Sequence, residues 1–197
     1  MENLFEIRIH SRGGQGAKTI GQILAEAGIE DGKFVEAFSE YGPERSGAPM
    51  QVFVRISNEP IRVHSNIKTP DIVILADPTL LGIVDITSGL KKNGLLLVNS
   101  FKEEKDVREM LGCRQKIYAL NATKIAVEVL GKDFSGIVLM GALNKISNIV
   151  SKKALEEELE EIFARKKGRE MAEKNILAFR KGYEAVELQA SNAQCKI

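Results

Sequence analysis

The chain has 197 residues, of which 44% are hydrophobic and 28% charged, and its net charge is +1. This length suits one domain with its own core, and the apolar stretches are too short to span a bilayer. The balanced charge argues against a general nucleic-acid surface, and the N-terminus lacks the basic flank and apolar segment of a signal peptide. We therefore expect a cytoplasmic protein that binds neither nucleic acid nor membrane.

The first part of the chain carries alternating strand and helix patterns. Residues 4–10 alternate in the manner of a strand, and residues 17–31 show apolar positions at helical spacing. A second strand over 34–38 leads into SEYGPERSGAP, whose two glycines and two prolines predict a loop. The segments MQVFVRIS and IRVHS, separated by three residues, are typical of a hairpin.

The middle of the chain repeats patterns of buried strands. Residues 71–77 and 94–100 form nearly unbroken apolar runs with a segment of helix length between them. A helix over 103–111 and a strand over 116–120 continue the alternation. Such alternation implies right-handed crossovers and an α/β fold of three layers, in which a mainly parallel, mixed sheet has helices on both faces.

Beyond Asn121 the pattern is helical only. Ser151 is placed to cap a helix with an apolar stripe and an acidic run, 156–161, that we expect to lie in solvent. A last helix over 169–188 precedes a tail that we expect to fray. The sequence predicts one domain over 1–197, with an α/β part over 1–120 and a helical segment over 121–190.

Cysteine and histidine are scarce. Cys113 and Cys195 stand far apart, so they form neither a CxxC metal pair nor a disulfide framework. His10 and His64 have no partner at metal-ligand spacing, and we expect ordinary strand-end or loop residues. GxSxG and HExxH motifs are also missing. We therefore predict neither a catalytic residue nor a bound metal in this chain.

The loop after the first strand has the features of an anion site. It contains three glycines and opens the first helix, whose free N–H groups and dipole favour a negative charge. A Walker A loop needs glycine before Lys18, and a dinucleotide fingerprint needs a third glycine where Thr19 stands. A phosphate cradle, a tight structural turn, and a dinucleotide site with Glu36 on the ribose remain open at this point.

The loop after the second strand offers a second set of polar groups. Arg45 can present a planar fork to phosphate or carboxylate, and the hydroxyl of Ser46 adds a donor. An ion-paired loop at a subunit contact explains the same residues, and both interpretations can hold together.

Four segments together resemble the gamma subunit of the 2-oxoacid:ferredoxin oxidoreductases. They are GGQGAKTIGQILAEA, SEYGPERSGAP, VFVRISNEPI and PDIVILADPTLL, and their order and spacing make the match specific. The resemblance covers about residues 4–150. Many relatives carry an arginine followed by two glycines in the second loop, whereas this chain has Arg45-Ser46-Gly47-Ala48, a form that resembles the pyruvate-type enzymes.

The resemblance implies a hetero-oligomeric enzyme that converts pyruvate, coenzyme A and oxidised ferredoxin into acetyl-CoA, carbon dioxide and reduced ferredoxin, or runs in reverse as pyruvate synthase. It places thiamine diphosphate, magnesium and iron–sulfur clusters on the alpha, beta and delta partner subunits. This chain, inactive alone, would complete the assembly and help bind coenzyme A. Alternative substrates are 2-oxoglutarate, branched-chain 2-oxoacids and indolepyruvate. Alternative functions are a free-standing nucleotide-binding protein and a self-sufficient dehydrogenase.

The implied coenzyme A site falls on the two loops. The pyrophosphate and 3′-phosphate of coenzyme A need backbone donors and cations rather than a nucleophile. Asn99 and Ser100, at the end of a later strand, are further candidates by position. A face covered by partners should be apolar when bare, and we expect such a patch around Tyr41, Pro43, Pro49 and Met50. The predicted site residues are Gly13, Gly14, Gln15, Gly16, Lys18, Thr19, Arg45, Ser46 and Gly47.

Overall fold

A six-stranded sheet forms the centre of the structure, a computed structural model that describes residues 4–13, 15–41 and 47–194. The strands are β1 (Leu4–Arg12), β2 (Phe34–Tyr41), β3 (Pro49–Ser57), β4 (Ile72–Leu75), β5 (Leu95–Asn99) and β6 (Lys116–Leu120). Their order across the sheet is β2-β3-β1-β4-β5-β6. The pairs β1–β4, β4–β5 and β5–β6 are parallel, and β3 is antiparallel to both β1 and β2. The predicted mixed, mainly parallel sheet is therefore confirmed.

Helices cover both faces of the sheet, and in the described part of the chain only helices follow β6, as predicted. The predicted cap of the acidic helix is also present, because Ser151 Oγ accepts a hydrogen bond from the N–H of Ala154 at 3.1 Å. None of the described helices is long and apolar enough to cross a membrane. The helices are α1 (Ala17–Glu30), α2 (Glu104–Leu111), α3 (Ala122–Leu130), α4 (Ser135–Ser147), α5 (Lys152–Lys167) and α6 (Arg169–Gln194).

Alternate residues of each strand pack on opposite faces of the sheet. On the first face, Ile7 and Ile9 of β1 belong to a large core shared with α1 and with α3 to α6. On the second face, Val73 and Leu75 of β4 pack in a smaller core with Val107 of α2. The sheet between these two apolar layers gives the predicted three-layer architecture.

The crossing of α4 and α6 brings two backbones into direct contact. A Cβ atom at Gly141 of α4 would overlap the carbonyl oxygen of Phe179, and one at Gly182 of α6 would overlap that of Val138. Backbone atoms cannot move aside as a side chain can, so the crossing requires glycine on both helices.

The predicted hairpin between residues 50–57 and 61–65 is wrong. β3 pairs with β2 on one edge and with β1 on the other, so no edge of β3 remains for another strand. The carbonyl groups of Val63 and Ser65 instead accept hydrogen bonds from the guanidinium of Arg55. Arg55 is only 1% exposed and also pairs with Glu6 at 3.0 Å and with Glu36 at 2.8 Å.

The segment between β4 and β5 contains a single 3-10 turn, Pro78–Leu80, where its length predicted a helix. The buried guanidinium of Arg8 holds part of this segment, since its Nη2 donates to the carbonyl oxygens of Ile86 at 3.2 Å and Ser88 at 2.6 Å. Its Nε donates to His10 Nε2 at 3.1 Å. Burial, together with the charge of Arg8, lowers the pKa of His10 to about 4, so the imidazole is neutral and can accept this bond.

The acidic run of α5 is not wholly in solvent. Glu158 is 7% exposed and forms a side-chain hydrogen bond with Glu26 of α1. Burial, then this neighbouring carboxylate, raises the pKa of Glu158 to about 7, whereas the bond lowers the pKa of Glu26. The two carboxyl groups therefore share a proton, which resides on Glu158 at pH values below about 7.

Two further expectations differ from the structure. α6 continues without a break through Gln194, so most of the tail that was expected to fray is helical.

Met50 is 6% exposed and packs in the large core, whereas Pro49 is exposed. The predicted apolar patch is therefore wrong at Met50, and Pro43 and the side chain of Tyr41 lie outside the described residues.

Replacing Gly141 with alanine tests the α4–α6 crossing. The added methyl would force the two backbones apart, and we expect the free energy of unfolding to fall by about 3 kcal/mol or more. Urea unfolding measures this loss. Gly28→Ala is the comparison, because its added methyl would meet side-chain atoms only, those of Val35 on the edge strand and of Val150. That variant should lose less than about 1 kcal/mol, and equal losses in the two variants would contradict the backbone-contact explanation.

Replacing Glu158 with glutamine tests the shared proton. A raised pKa means that the folded chain keeps a proton that the unfolded chain releases, so this stabilisation is complete below the ordinary glutamate pKa and is lost as the pH rises through about 7. The glutamine amide donates to Glu26 at every pH. Relative to the native chain, the variant should therefore gain about 1 kcal/mol or more in unfolding free energy between pH 5 and pH 8.

The control for this measurement is Glu160→Gln, at an exposed position of the same helix. It removes one negative charge without touching the pair. The same pH-dependent gain in both variants would show that the overall charge of α5, rather than the shared proton, is responsible.

Candidate functional site

Both predicted loops follow strands whose carboxyl ends lie at the same edge of the sheet. β1, β4, β5 and β6 run parallel, and β2 runs in the same direction because both β1 and β2 are antiparallel to β3. The chain after each of these strands therefore emerges at the same edge. In open parallel sheets this is the edge where ligands bind.

The glycine-rich loop leads directly into the N-terminus of α1. Gly16 has φ of 85° and occupies the N-cap position without a side-chain cap, a conformation that favours glycine. The first hydrogen bond of the helix runs from the N–H of Ile20 to the oxygen of Gly16 at 3.0 Å. The N–H groups of residues 17–19 therefore precede the helical ladder, as expected for an anion-binding helix end.

The side chain of Gln15 connects this loop to the end of β4. Its Oε1 accepts hydrogen bonds from Ser11 Oγ and from the N–H of Arg12, both at 3.0 Å. Its Nε2 donates to Asp77 Oδ2 at 2.7 Å. Both atoms of the Gln15 amide are thus hydrogen-bonded within the protein. The side chain therefore contributes to the predicted site by holding the glycine-rich loop in place.

The structure brings the two predicted loops together. The N–H of Gly13 donates to the oxygen of Ala48 at 3.3 Å, and Arg12 Nη1 donates to the oxygen of Gly47 at 3.0 Å. Both bonds link the loop after β1 to the residues just before β3. Gly14, Arg45 and Ser46 of the predicted site lie outside the described residues.

Arg12 and Asp77 belong to this site but were not selected from the sequence. Arg12 Nε donates to Thr79 Oγ1 at 3.0 Å and lies 3.3 Å from Asp77 Oδ2. The side chain of Arg12 is 29% exposed and that of Asp77 only 4%. A signal existed, since Asp77 is the last residue of one predicted strand and Arg12 lies just beyond the end of another, but the spacing along the chain does not indicate that the two side chains are in contact.

Lys18 lies at one end of a groove between α1 and β2. It is exposed in the first turn of α1, and Thr19 beside it is half-buried. The groove has a volume of about 430 Å³ and mostly small or apolar walls, with Gly21, Ala25, Ala37, Phe38 and Val52 among them. Lys18 thus lies beside both the helix N-terminus and this groove.

The side chains of Asn99 and Ser100 form hydrogen bonds that stabilise the fold. Asn99 is 1% exposed and donates from Nδ2 to the oxygen of Ala76 at 2.8 Å and to Thr123 Oγ1 at 2.9 Å. Ser100 Oγ accepts from the N–H of Lys102 at 2.9 Å. They support a crevice of about 270 Å³ on the same edge, which is lined by Gln15, Asp77, Thr79, Asn99, Phe101, Asn121, Thr123 and Asp133.

Two other polar side chains that were considered from the sequence as ligand-binding candidates, Glu36 and His10, are bonded within the protein. Glu36, the possible ribose-binding acid, pairs with Arg55 at 2.8 Å and with His64 Nδ1 at 2.6 Å. His10 lies buried in β1. Within the described ranges, no three His, Cys, Asp or Glu side chains are grouped so that they could hold a metal ion.

Known proteins that this chain resembles agree on one family. Residues 6–185 match the family described as pyruvate ferredoxin/flavodoxin oxidoreductase. Pyruvate synthase subunit PorC of Thermotoga maritima is 45% identical over 183 residues, which cover 93% of this chain and 95% of that protein. Pyruvate/ketoisovalerate oxidoreductases common subunit gamma of Pyrococcus furiosus is 42% identical, covering 94% of this chain and 98% of that protein.

The fold agrees with these matches. The crystal structure of pyruvate oxidoreductase subunit PORC from Thermotoga maritima has a TM-score of 0.83 at 40% identity and covers 93% of this chain and 97% of that chain. Sequence and fold thus match over nearly the whole length of both partners. The chain belongs to the pyruvate ferredoxin/flavodoxin oxidoreductase family and is a relative of its PorC, or gamma, subunits.

Proposed function

We propose that this chain is the gamma subunit of a pyruvate:ferredoxin oxidoreductase. The observation that carries the proposal is the match to pyruvate synthase subunits PorC along more than nine-tenths of the chain. The enzyme converts pyruvate, coenzyme A and oxidised ferredoxin into acetyl-CoA, carbon dioxide and reduced ferredoxin, or runs in the opposite direction. The chain acts as one part of this enzyme and is inactive alone.

The assembly contains alpha, beta and delta partners in the cytoplasm. Names such as "subunit PorC" and "common subunit gamma" support a multi-subunit enzyme. The partners carry thiamine diphosphate with its magnesium and the iron–sulfur clusters, and they transfer electrons to ferredoxin. The gamma chain contributes no group that bonds to the 2-oxoacid; it completes the assembly and holds part of coenzyme A.

The two linked loops hold the phosphates of coenzyme A. The N–H groups at the start of α1 supply neutral donors, and Lys18 supplies an exposed cation beside them. Arg12 joins this loop to Gly47, and Arg45 and Ser46, which precede Gly47 in the sequence, are the proposed phosphate contacts from the second loop. Backbone donors and cations on two facing loops suit a ligand with a pyrophosphate and a further phosphate.

One observation supports a role of this chain in an enzyme for a second 2-oxoacid. The Pyrococcus furiosus relative is a subunit common to pyruvate and ketoisovalerate oxidoreductases. A gamma chain that serves two enzymes cannot itself choose the 2-oxoacid. The second candidate function is therefore a shared subunit that also assembles with a branched-chain 2-oxoacid enzyme.

Reconstitution tests the assignment as a subunit. The chain co-expressed with alpha, beta and delta subunits from the same organism should form a complex that reduces ferredoxin only when pyruvate and coenzyme A are both present. The isolated chain should give no activity. Ketoisovalerate, 2-oxoglutarate and indolepyruvate in the same assay measure substrate choice. Full activity of the partners without this chain would contradict the proposal.

Alanine substitution tests the two loops. We expect Lys18→Ala, and separately the double variant Arg45→Ala with Ser46→Ala, to raise the KM for coenzyme A about tenfold, because each removes a charge-assisted contact to phosphate. The KM for pyruvate should not change. Steady-state kinetics of the assembled enzyme measures both constants.

Matched controls separate phosphate binding from a general effect of charge. Lys33→Ala removes a lysine beyond the opposite end of α1, and Arg114→Ala removes an exposed arginine between α2 and β6. Neither should alter the KM for coenzyme A. If the loop variants behave like these controls, the loops do not bind coenzyme A.

A further inference from the structure

We propose that Asp77 is a positioning residue of the coenzyme A site. Its buried carboxylate fixes Gln15 and Arg12, and these two side chains set the geometry between the glycine-rich loop and Gly47 of the second loop. The proposal rests on the proposed function, because it assigns a role to a residue behind that same site. Asp77 itself makes no contact with coenzyme A in this proposal.

The carboxylate of Asp77 is buried and has hydrogen-bond donors around both of its oxygens. The residue is 3% exposed, and a buried carboxylate is tolerated only where donors surround it. Oδ1 accepts from the N–H of Thr79 at 2.7 Å. Oδ2 accepts from Gln15 Nε2 at 2.7 Å and lies 3.3 Å from Arg12 Nε.

The two carboxylate oxygens have separate tasks. Oδ1 caps the 3-10 turn that follows β4, which is a local role found in many turns. Oδ2 reaches the side chains of residues 12 and 15, which follow a different strand. A cap alone needs one oxygen, so the cap does not account for the contacts of Oδ2.

Gln15 passes the constraint from Asp77 to the glycine-rich loop. An ionised carboxylate can only accept, so the NH₂ group of Gln15 must face Asp77 and its oxygen must face the other way. That oxygen accepts from Ser11 Oγ and from the N–H of Arg12. Asp77 therefore fixes the orientation of the Gln15 amide, and the amide fixes the backbone where β1 ends and the loop begins.

Arg12 passes the constraint to the second loop. Its guanidinium lies between Thr79 Oγ1 and the oxygen of Gly47, with a hydrogen bond of 3.0 Å to each. A guanidinium is planar, so holding its Nε beside Asp77 also fixes the direction of Nη1 toward Gly47. Without Oδ2, Arg12 and Gln15 would each lose a partner. The contact of Arg12 with Gly47 would then be oriented by Thr79 alone, and the hydrogen bond between Gly13 and Ala48 would remain as a second link between the loops.

Asp77→Asn is the selective test, since it keeps the volume and the capping oxygen and replaces Oδ2 with a donor that opposes the NH₂ of Gln15. In the assembled enzyme we expect the KM for coenzyme A to rise about fivefold or more, as for the loss of a buried hydrogen-bond partner, while kcat and the KM for pyruvate stay within about twofold. Gln15→Ala should raise the same KM, and it provides the comparison if the asparagine variant does not assemble.

A double variant separates positioning from general damage. In Asp77→Asn combined with Gln15→Glu, the asparagine NH₂ can donate to one glutamate oxygen, while the other oxygen accepts from Ser11 and Arg12. The net charge is unchanged and donor and acceptor are exchanged. We expect the KM for coenzyme A to fall about twofold or more below that of Asp77→Asn without reaching the native value, because the exchange restores the contact with Gln15 but leaves Arg12 Nε facing an amide NH₂. Asp71→Asn, at the opposite end of β4, is the control and should leave this KM unchanged.

Three results would overturn the proposal. The first is a native KM for coenzyme A in Asp77→Asn while the Lys18 or Arg45/Ser46 variants raise it; the positioning role then fails and the proposed site stands. The second is a raised KM in Asp77→Asn that the double variant does not lower, which indicates a structural role only. The third is a native KM in every loop variant, which removes the coenzyme A site itself and this proposal with it.

Discussion

The central position of β1 is the constraint on which both the core and the candidate site depend. One edge of β1 pairs with β3 along the whole strand, and the other pairs with β4 over residues 7–10, so β1 lies inside the sheet with a strand on each side. Ile7 and Ile9 then face the helices, while Arg8 and His10 face the opposite side. The same pairing makes the glycine-rich loop emerge between the ends of β3 and β4, where it meets the second loop on one side and Asp77 on the other.

The second face of the sheet depends on two buried arginines rather than on helices alone. Arg8 and Arg55 lie on the central strands, and their guanidinium groups donate to carbonyl oxygens of the irregular segments around residues 63–65 and 86–88. A buried guanidinium costs desolvation unless its donors are satisfied, and carbonyl groups without a strand partner need donors. The carbonyl oxygens of these segments accept hydrogen bonds from the buried guanidinium groups, so the segments are held against the sheet without forming strands.

Local signals explain which parts of the fold could be predicted from the sequence. Ala17 begins α1, Ser151 caps α5, and β6 spans Lys116–Leu120 as expected, because periodicity and caps depend on neighbours in the chain. The alternation in residues 61–65 has the same local form but yields no strand, since both edges of β3 are occupied. Contacts between distant residues, such as those of Asp77 with Gln15 and of Glu158 with Glu26, leave no trace in spacing.

The glycines of the two loops differ in what the fold itself requires of them. Gly16 has a positive φ, so the turn alone explains it, and Gly141 is explained by the backbone of Phe179. Gly13 is different: among the described residues, a Cβ atom there would meet only the nitrogen of Gly47, at an ordinary contact distance of 3.6 Å. Neither strain nor crowding within the described chain demands glycine at that position. The proposed coenzyme A site gives a reason for this glycine, because a ligand phosphate held there approaches the backbone closely.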